Sequence, residues 1–145
     1  MSLPGPTAIP VTVGRIVTEA EGVVSLELRA AGEAALPPFE AGAHIDVEVP
    51  LPDGVEVRQY SLCNDPSERN RYVIAVGLDA NSRGGSRWIH EHLRHGDPLR
   101  IGAPRNNFPL AESAPHSILV AGGIGITPLL AMARLGTADG RQWAL

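Results

Sequence analysis

Apolar and polar side chains alternate in several short segments of the first hundred residues. Val24, Leu26 and Leu28 alternate with Ser25, Glu27 and Arg29, and residues 44–49 repeat the pattern with isoleucine and valine. A period of two is typical of a strand with one buried face. The pattern therefore predicts a mainly β fold with six short strands, at residues 12–19, 24–28, 44–49, 55–62, 71–78 and 98–103.

Six strands at this spacing predict a small closed antiparallel barrel. The Asp53-Gly54 pair is a hairpin signal between the third and fourth strands. One helix is predicted before the last strand, because residues 88–93 carry apolar and aromatic side chains at helical spacing. We expect this helix to begin near Ser86, with that residue as N-cap, and to end at Gly96.

The pattern changes after Pro104. Ser117–Ala121 is a continuous apolar run of the kind found in buried parallel strands, and a glycine-rich loop follows it. Thr127 is then expected as the N-cap of a second helix over 129–135, with Pro128 at its first position. We expect a boundary near residues 112–115, which separates a barrel domain at 1–112 from an α/β fragment at 116–145.

Composition excludes several classes of protein. A net charge of −4 argues against an electrostatic nucleic-acid binder. The longest uncharged run, residues 117–133, is interrupted by glycines and is too short for a membrane span. The one cysteine, Cys63, excludes a disulfide framework and any site built only from cysteines of this chain. With no secretion signal in the first residues, we expect a cytoplasmic location.

The first candidate for chemistry is the segment from Arg58 to Asn64, where a predicted strand enters a loop. Arg58 can bind a phosphate with two hydrogen bonds, and Tyr60 offers a flat face to a ring system. Ser61 can hydrogen-bond a ring heteroatom. Strand alternation places Arg58 and Tyr60 on one side and Ser61 on the other unless the strand bends. The alternative is an ordinary strand with a surface arginine and a core tyrosine.

The second and third candidates are glycine-rich segments that precede predicted helices. Ser82-Arg83-Gly84-Gly85-Ser86 would offer backbone amides and a positive charge to an anion, and the alternative is a plain loop with Ser86 as N-cap. Residues 121–128 lie between a strand and a helix, as a dinucleotide phosphate loop does, but they do not fit G-x-G-x-x-G. The histidines at 90, 92 and 95 are interpreted as solvated surface, and Cys63 as a small buried residue.

In this order, the three segments resemble the ferredoxin–NADP⁺ reductase superfamily, and most closely the phthalate dioxygenase reductase and vanillate demethylase reductase family. Residues 104–108, Pro-Arg-Asn-Asn-Phe, are similar to that family as well, and the resemblance covers about residues 12–135. It implies a Greek-key flavin-binding barrel with one capping helix, followed by a nicotinamide-binding α/β domain. It also implies a reductase that passes electrons from NADH or NADPH, through FMN rather than FAD, to an iron–sulfur centre of an aromatic-ring oxygenase or demethylase.

The same resemblance implies roles for particular residues. Tyr60 would stack on the flavin ring and Ser61 would lie near its N5 atom, so these two form the expected catalytic pair. Gly77 stands where the resemblance leads us to expect a basic residue, so that contact with phosphate or ribitol is in question. The full set of expected cofactor-binding residues is Arg58, Gln59, Tyr60, Ser61, Ala75, Val76, Gly77, Arg83, Gly84, Gly85, Ser86, Gly122, Gly123, Gly125 and Thr127.

Members of that family carry more chain, including further nicotinamide-domain strands and a [2Fe–2S] domain with four cysteines. We therefore expect a truncated form or a gene fragment, with the cluster in a missing domain or a partner. Two alternatives stay open: a flavin-binding module without turnover, and a β-barrel binding domain with no redox role. An unpaired apolar strand at 117–121 also leads us to expect a homodimer, a domain swap or poor solubility.

Overall fold

Antiparallel strands dominate a computed structural model of the chain, which describes residues 8–32, 34–111 and 113–145. The first part contains six strands and a helix, and the second part contains two short strands around a longer helix. In chain order the elements are β1 (Ile9–Ala20), β2 (Val23–Ala30), β3 (His44–Leu51), β4 (Gly54–Ser61), β5 (Tyr72–Gly77), α1 (Gly85–His92), β6 (Pro98–Ile101), β7 (His116–Ile118), α2 (Ile126–Ala138) and β8 (Gln142–Ala144).

The first six strands form one antiparallel sheet in the order β4-β3-β6-β1-β2-β5. The two outer strands meet through a bridge between Leu62 and Ile74, supported by the Cys63 amide, which donates to the Val73 carbonyl over 2.8 Å. This order of non-consecutive neighbours is a Greek-key arrangement. The structure thus confirms the predicted mainly β barrel.

The alternating side chains fill the barrel. Ile45, Val47 and Val49 are fully buried, as are Leu26 and Leu28, whereas Glu27 and Glu48 between them are partly exposed and Asp46 is buried. Each strand therefore contributes one apolar face, and burial of that face is the main source of stability. The helix α1 contributes Ile89 and Leu93 to the same core.

Gly42 allows the barrel to approach the second part of the chain. Its φ of +96° is accessible to glycine, and a Cβ there would lie 1.9 Å from the Phe108 carbonyl oxygen. The neighbouring Ala41 belongs to a second apolar cluster, whose other buried members are Leu119, Leu129, Ala131, Met132 and Ala133.

The second part differs from the expectation in its strands. The strand predicted at 117–121 is only β7, His116–Ile118, and its residues are mostly exposed. A second strand, β8, pairs with it in parallel, with Ser117 opposite Trp143. The expectation of one unpaired strand and one helix was wrong, because the segment after α2 returns to β7 and pairs with it.

Helix α1 begins at Gly85, which confirms the predicted start near Ser86, but both predicted N-cap residues were wrong. Gly84 is the N-cap of α1, with Ser86 inside the helix, and the helix ends at His92 rather than Gly96. Gly125 is the N-cap of α2, so Thr127 and Pro128 lie in its first turn. In both cases glycine precedes the helix, and the hydroxyl residue that the pattern favoured as a cap makes a different contact. No helix among the described residues is long and apolar enough to cross a membrane.

An ion pair joins β3 to the segment after β6. Both guanidinium nitrogens Nη1 and Nη2 of Arg105 donate to Asp46, each over 2.8 Å. Asp46 is 7% exposed, and the Arg105 hydrogen bonds hold the pKa of its carboxyl below the usual range, against the effect of burial. Such a bidentate pair fixes the position of residues 104–106 relative to the barrel.

We expect Asp46→Asn to lower the free energy of unfolding at neutral pH by about 1.5–3 kcal/mol, because it removes a charged hydrogen-bond acceptor. Because the pKa of folded Asp46 is lowered, this contribution is present above the ordinary Asp pKa and is lost as pH falls through the lowered value. Urea titrations of both proteins between neutral and acidic pH measure it. Asp53→Asn in the exposed β3–β4 turn is the control, and an equal effect of both changes would contradict the role of the pair.

Candidate functional site

A cleft of about 320 Å³ opens where β4, β5 and the start of α1 converge. Its walls combine two arginines, one tyrosine and a polar loop, so the cleft offers positive charge, an aromatic face and hydroxyl groups together. The lining residues are Arg58, Tyr60, Gly77, Asp79, Asn81, Ser82, Arg83 and Ser86.

Arg58 lines this cleft, and one of its guanidinium nitrogens has no hydrogen-bond partner among the described residues. Nη1 donates to the Glu56 carboxylate and to the Val57 carbonyl, each over 3.0 Å. Nη2 is buried and has no hydrogen-bond partner among the described residues. A buried donor without an acceptor costs free energy, so this nitrogen suits an anionic ligand.

Gly85 makes room for the Arg58 side chain. A Cβ at residue 85 would lie 2.9 Å from Arg58 Nε and 3.2 Å from its Cγ, closer than side-chain packing allows. The start of α1 therefore rests directly on the guanidinium. This contact brings a helix N-terminus, with its partial positive charge, beside the unsatisfied nitrogen.

In the loop before α1, some of the polar groups predicted to bind an anion already form hydrogen bonds within the chain. The Gly84 amide donates to Ser82 Oγ over 2.9 Å, so it is already satisfied. Ser86 Oγ accepts from the Asp79 amide over 3.2 Å, which leaves the hydroxyl proton free to donate. The amides of the first helical turn, from Gly85 on, have no acceptor within the helix itself.

Tyr60 forms the apolar wall of the cleft. It lies opposite Ile45 in the β3–β4 ladder and packs against the barrel core. Burial raises the pKa of its phenol above the usual value, with the Arg58 charge acting in the opposite direction. The ring is therefore a neutral, half-buried surface next to the cationic floor.

Gln59 and Ser61 lie on the other face of β4. The ladder is regular from Leu51 to His44, so alternation separates these two residues from Arg58 and Tyr60. The Gln59 side chain hydrogen-bonds Asp46, and Ser61 lies opposite His44, whose buried Nε2 has no partner among the described residues.

On β5, only the last of the three expected residues lines the cleft. Val76 points into the barrel core, Ala75 lies on the opposite face, and Gly77 forms part of the wall. Gly77, which stands where a basic residue was expected, is thus the one of the three that lines the cleft.

The third candidate segment forms a separate turn that meets the cleft at its edge. Gly122, Gly123 and Gly125 are exposed, and a Cβ on any of them would meet nothing within 4 Å. Thr127 Oγ1 donates to the Ile124 carbonyl over 3.0 Å. The Ile124 side chain reaches to within 3.8 Å of the position that a Cβ on Gly77 would take.

Another contact joins α2 to the loop that follows β4. Arg134 Nε donates to the Cys63 carbonyl over 3.2 Å, three residues after Tyr60. Cys63 itself is buried, and burial raises the pKa of its thiol to about 11, so it is not a reactive thiolate at neutral pH. Among the described residues there is no group of three histidine, cysteine or acidic side chains that could hold a metal ion.

Sequence reasoning missed Asp79 and Asn81, and it included Ile124 in the third segment without predicting its contact with Gly77. The backbone amide of Asn81 donates to the Asp79 carboxylate over 2.9 Å. This bond closes a local turn, for which aspartate and asparagine are a recognisable signal. Ile124 carried no such signal, because its contact with Gly77 depends on how the second part of the chain packs on the barrel.

Comparison with known proteins identifies relatives, although no family model matches the chain. It is 52% identical over 139 residues to tetrachlorobenzoquinone reductase of Sphingobium chlorophenolicum, covering 96% of this chain and 42% of that protein. It is 60% identical over 115 residues to vanillate O-demethylase oxidoreductase of Pseudomonas putida, covering 79% of this chain and 35% of that protein. The chain therefore spans about two fifths or less of the length of these curated relatives.

A solved structure of phthalate dioxygenase reductase superposes with a TM-score of 0.87 at 47% identity, over 94% of this chain and 41% of that one. It is described as a modular structure for electron transfer from pyridine nucleotides to [2Fe–2S]. The matches extend across both the barrel and the second apolar cluster, as the resemblance of the three segments implied. The chain belongs to the phthalate dioxygenase reductase and vanillate O-demethylase oxidoreductase family, within the ferredoxin–NADP⁺ reductase superfamily.

Proposed function

We propose that this chain binds FMN in the cleft between β4, β5 and α1. We propose further that the protein to which it belongs is a reductase that passes electrons from NADH or NADPH to an iron–sulfur centre of an oxygenase or demethylase system. The observation that carries the proposal is the buried, unsatisfied Nη2 of Arg58, which lies beside Arg83 and the start of α1.

The polar end of the cleft fits a terminal phosphate. Arg58 Nη2, the free hydroxyl proton of Ser86 and the amides of the first turn of α1 are donors without acceptors of their own. Arg83 adds a second positive charge at the mouth. A dianionic phosphate would satisfy these donors and interact favourably with the helix N-terminus.

The apolar end of the cleft fits a ring system. Tyr60 presents its face beside the glycine at position 77, so a flat ligand can lie against it without a clash from β5. When bound, FMN supplies hydride acceptance from a nicotinamide and release of single electrons to an iron–sulfur centre. Tyr60 would hold the ring and limit its exposure to water, and no acid–base side chain is required.

The role of Ser61 is a proposal that needs the ring to extend past the end of β4. Ser61 and Gln59 lie on the face away from Tyr60, so only a ring that reaches over the strand end would meet the Ser61 hydroxyl. The turn from Gly122 to Thr127 would receive the pyrophosphate of the nicotinamide nucleotide, since Ile124 places it at the edge of the cleft beside Gly77.

The division into units is also proposed, with a barrel unit at 1–112 and part of a nucleotide-binding unit at 116–145. Two separate apolar clusters and two separate sheets support it. We propose a cytoplasmic location, where nicotinamide nucleotides are available and a lone reduced cysteine such as Cys63 is ordinary.

Incubation with FMN followed by desalting is expected to leave a yellow protein with flavin absorbance, and FAD is expected to be retained less. Adding NADH without oxygen then separates two outcomes: bleaching shows that the chain accepts hydride, and retained colour shows a flavin-binding module without turnover. A chain that melts cooperatively yet stays colourless with both flavins would contradict the proposed site.

Arg83→Ala is expected to weaken FMN binding about 10- to 100-fold and riboflavin binding little, because only FMN carries the phosphate. The range corresponds to the loss of one charged hydrogen bond, about 1.5–3 kcal/mol. Flavin fluorescence titrations with both ligands measure it. Arg87→Ala, an exposed arginine of α1 that does not line the cleft, is the control, and an equal loss for both ligands would reject the phosphate role.

We also propose that the 145-residue chain self-associates through the surface around β7. Ile118 and Val120 are 80% and 85% exposed, and two such adjacent apolar side chains favour contact with a second copy. Light scattering is expected to give a mass above the monomer mass of 15.3 kDa. Ile118→Ser combined with Val120→Ser is expected to lower the measured mass to that of the monomer. A monomer at high concentration before any substitution would contradict this.

A further inference from the structure

A histidine of α1 ties that helix to the strand beside the cleft. His90 Nε2 lies 2.9 Å from the Val76 carbonyl oxygen. Because a carbonyl can only accept, Nε2 carries the proton and donates. Val76 immediately precedes Gly77, which lines the cleft, so the bond joins α1 to β5 one residue from the candidate site.

A second hydrogen bond acts on the same side of the helix. Ser86 Oγ accepts from the Asp79 amide, just beyond the end of β5. Ser86 and His90 are four residues apart, so both project from one face of α1. That face is therefore held at two points, Asp79 and Val76, by the chain that forms one wall of the cleft.

These ties are needed because α1 is short. With eight residues it has little stability as an isolated helix, so tertiary contacts determine where it lies. Ile89 and Leu93 anchor it to the barrel core, but apolar burial is non-directional and tolerates small rotations and shifts. Hydrogen bonds at fixed geometry restrict such movements.

We propose that His90 is a positioning residue for phosphate binding: its bond to Val76 sets the orientation in which α1 presents its first turn to the cleft. The inference rests on the proposed FMN site. His90 does not line the cleft, so its effect on the ligand passes through the placement of Gly85, Ser86 and Arg83. The role of His90 is therefore indirect, whereas Arg83 would contact the phosphate itself.

The test compares His90→Ala with His90→Gln in the 145-residue chain, with His95→Ala as control. The Gln side-chain amide can donate to Val76 in place of Nε2, and His95 is an exposed residue beyond the helix. His90→Ala is expected to weaken FMN about three- to tenfold, the size expected for one partly buried hydrogen bond, and to weaken riboflavin less. His90→Gln is expected to keep most of the FMN affinity that His90→Ala loses.

A second measurement examines the helix without flavin. The Trp88 amide donates to the Gly84 carbonyl within the first turn, and its hydrogen exchange reports opening of that turn. In His90→Ala this amide is expected to exchange faster while the amides of β3 keep their wild-type protection. His90→Gln and His95→Ala are expected to leave the Trp88 amide unchanged.

The outcomes separate this inference from the proposed function. Selective loss of FMN binding together with faster exchange at Trp88 supports the positioning role. Equal loss for FMN and riboflavin, or no rescue by glutamine, overturns it. If the wild-type chain binds neither flavin, the proposed function fails. Unchanged hydrogen exchange of the Trp88 amide in His90→Ala would then also overturn the role of the His90–Val76 hydrogen bond in holding α1.

Discussion

Incomplete closure of the barrel is the constraint on which the candidate site depends. The two outer strands, β4 and β5, meet at the Leu62–Ile74 bridge, and the described residues form no ladder between them beyond it. A fully paired barrel would have no room there. Because the edges separate past the bridge, Arg58, Tyr60 and Gly77 line an opening instead of a core, and α1 covers its polar end.

The second part of the chain is placed by small contacts around this opening. A Cβ on Gly42 would lie 3.0 Å from Met132 Cε, Arg134 bonds to the Cys63 carbonyl, and Ile124 lies against Gly77. Two of these three contacts fall on segments that adjoin the cleft. The glycine-rich turn before α2 and the tyrosine at the end of β4 are therefore held in one arrangement, as transfer between two bound ligands would require.

Much of the barrel could be predicted from sequence because its signal is local. Alternation in residues 24–28 and 44–49 reports directly which side chains are buried, and the strands follow. The start of α1 was predicted to within one residue, but the capping residues were not, since Gly84 and Gly125 are the N-caps while Ser86 and Thr127 form other bonds. The contact between Gly77 and Ile124 lay beyond such reasoning because it joins residues 47 positions apart in the chain.

The charges of the cleft explain how an acidic protein can hold an anion. The chain carries a net charge of −4, and Glu56 already binds one nitrogen of Arg58. The hydrogen bond from Arg58 keeps the pKa of Glu56 below its usual value. Gly85 packs close to the same side chain, and Nη2 is buried without a partner among the described residues. The carboxylate therefore binds Nη1 and leaves Nη2 available for the phosphate of the proposed ligand.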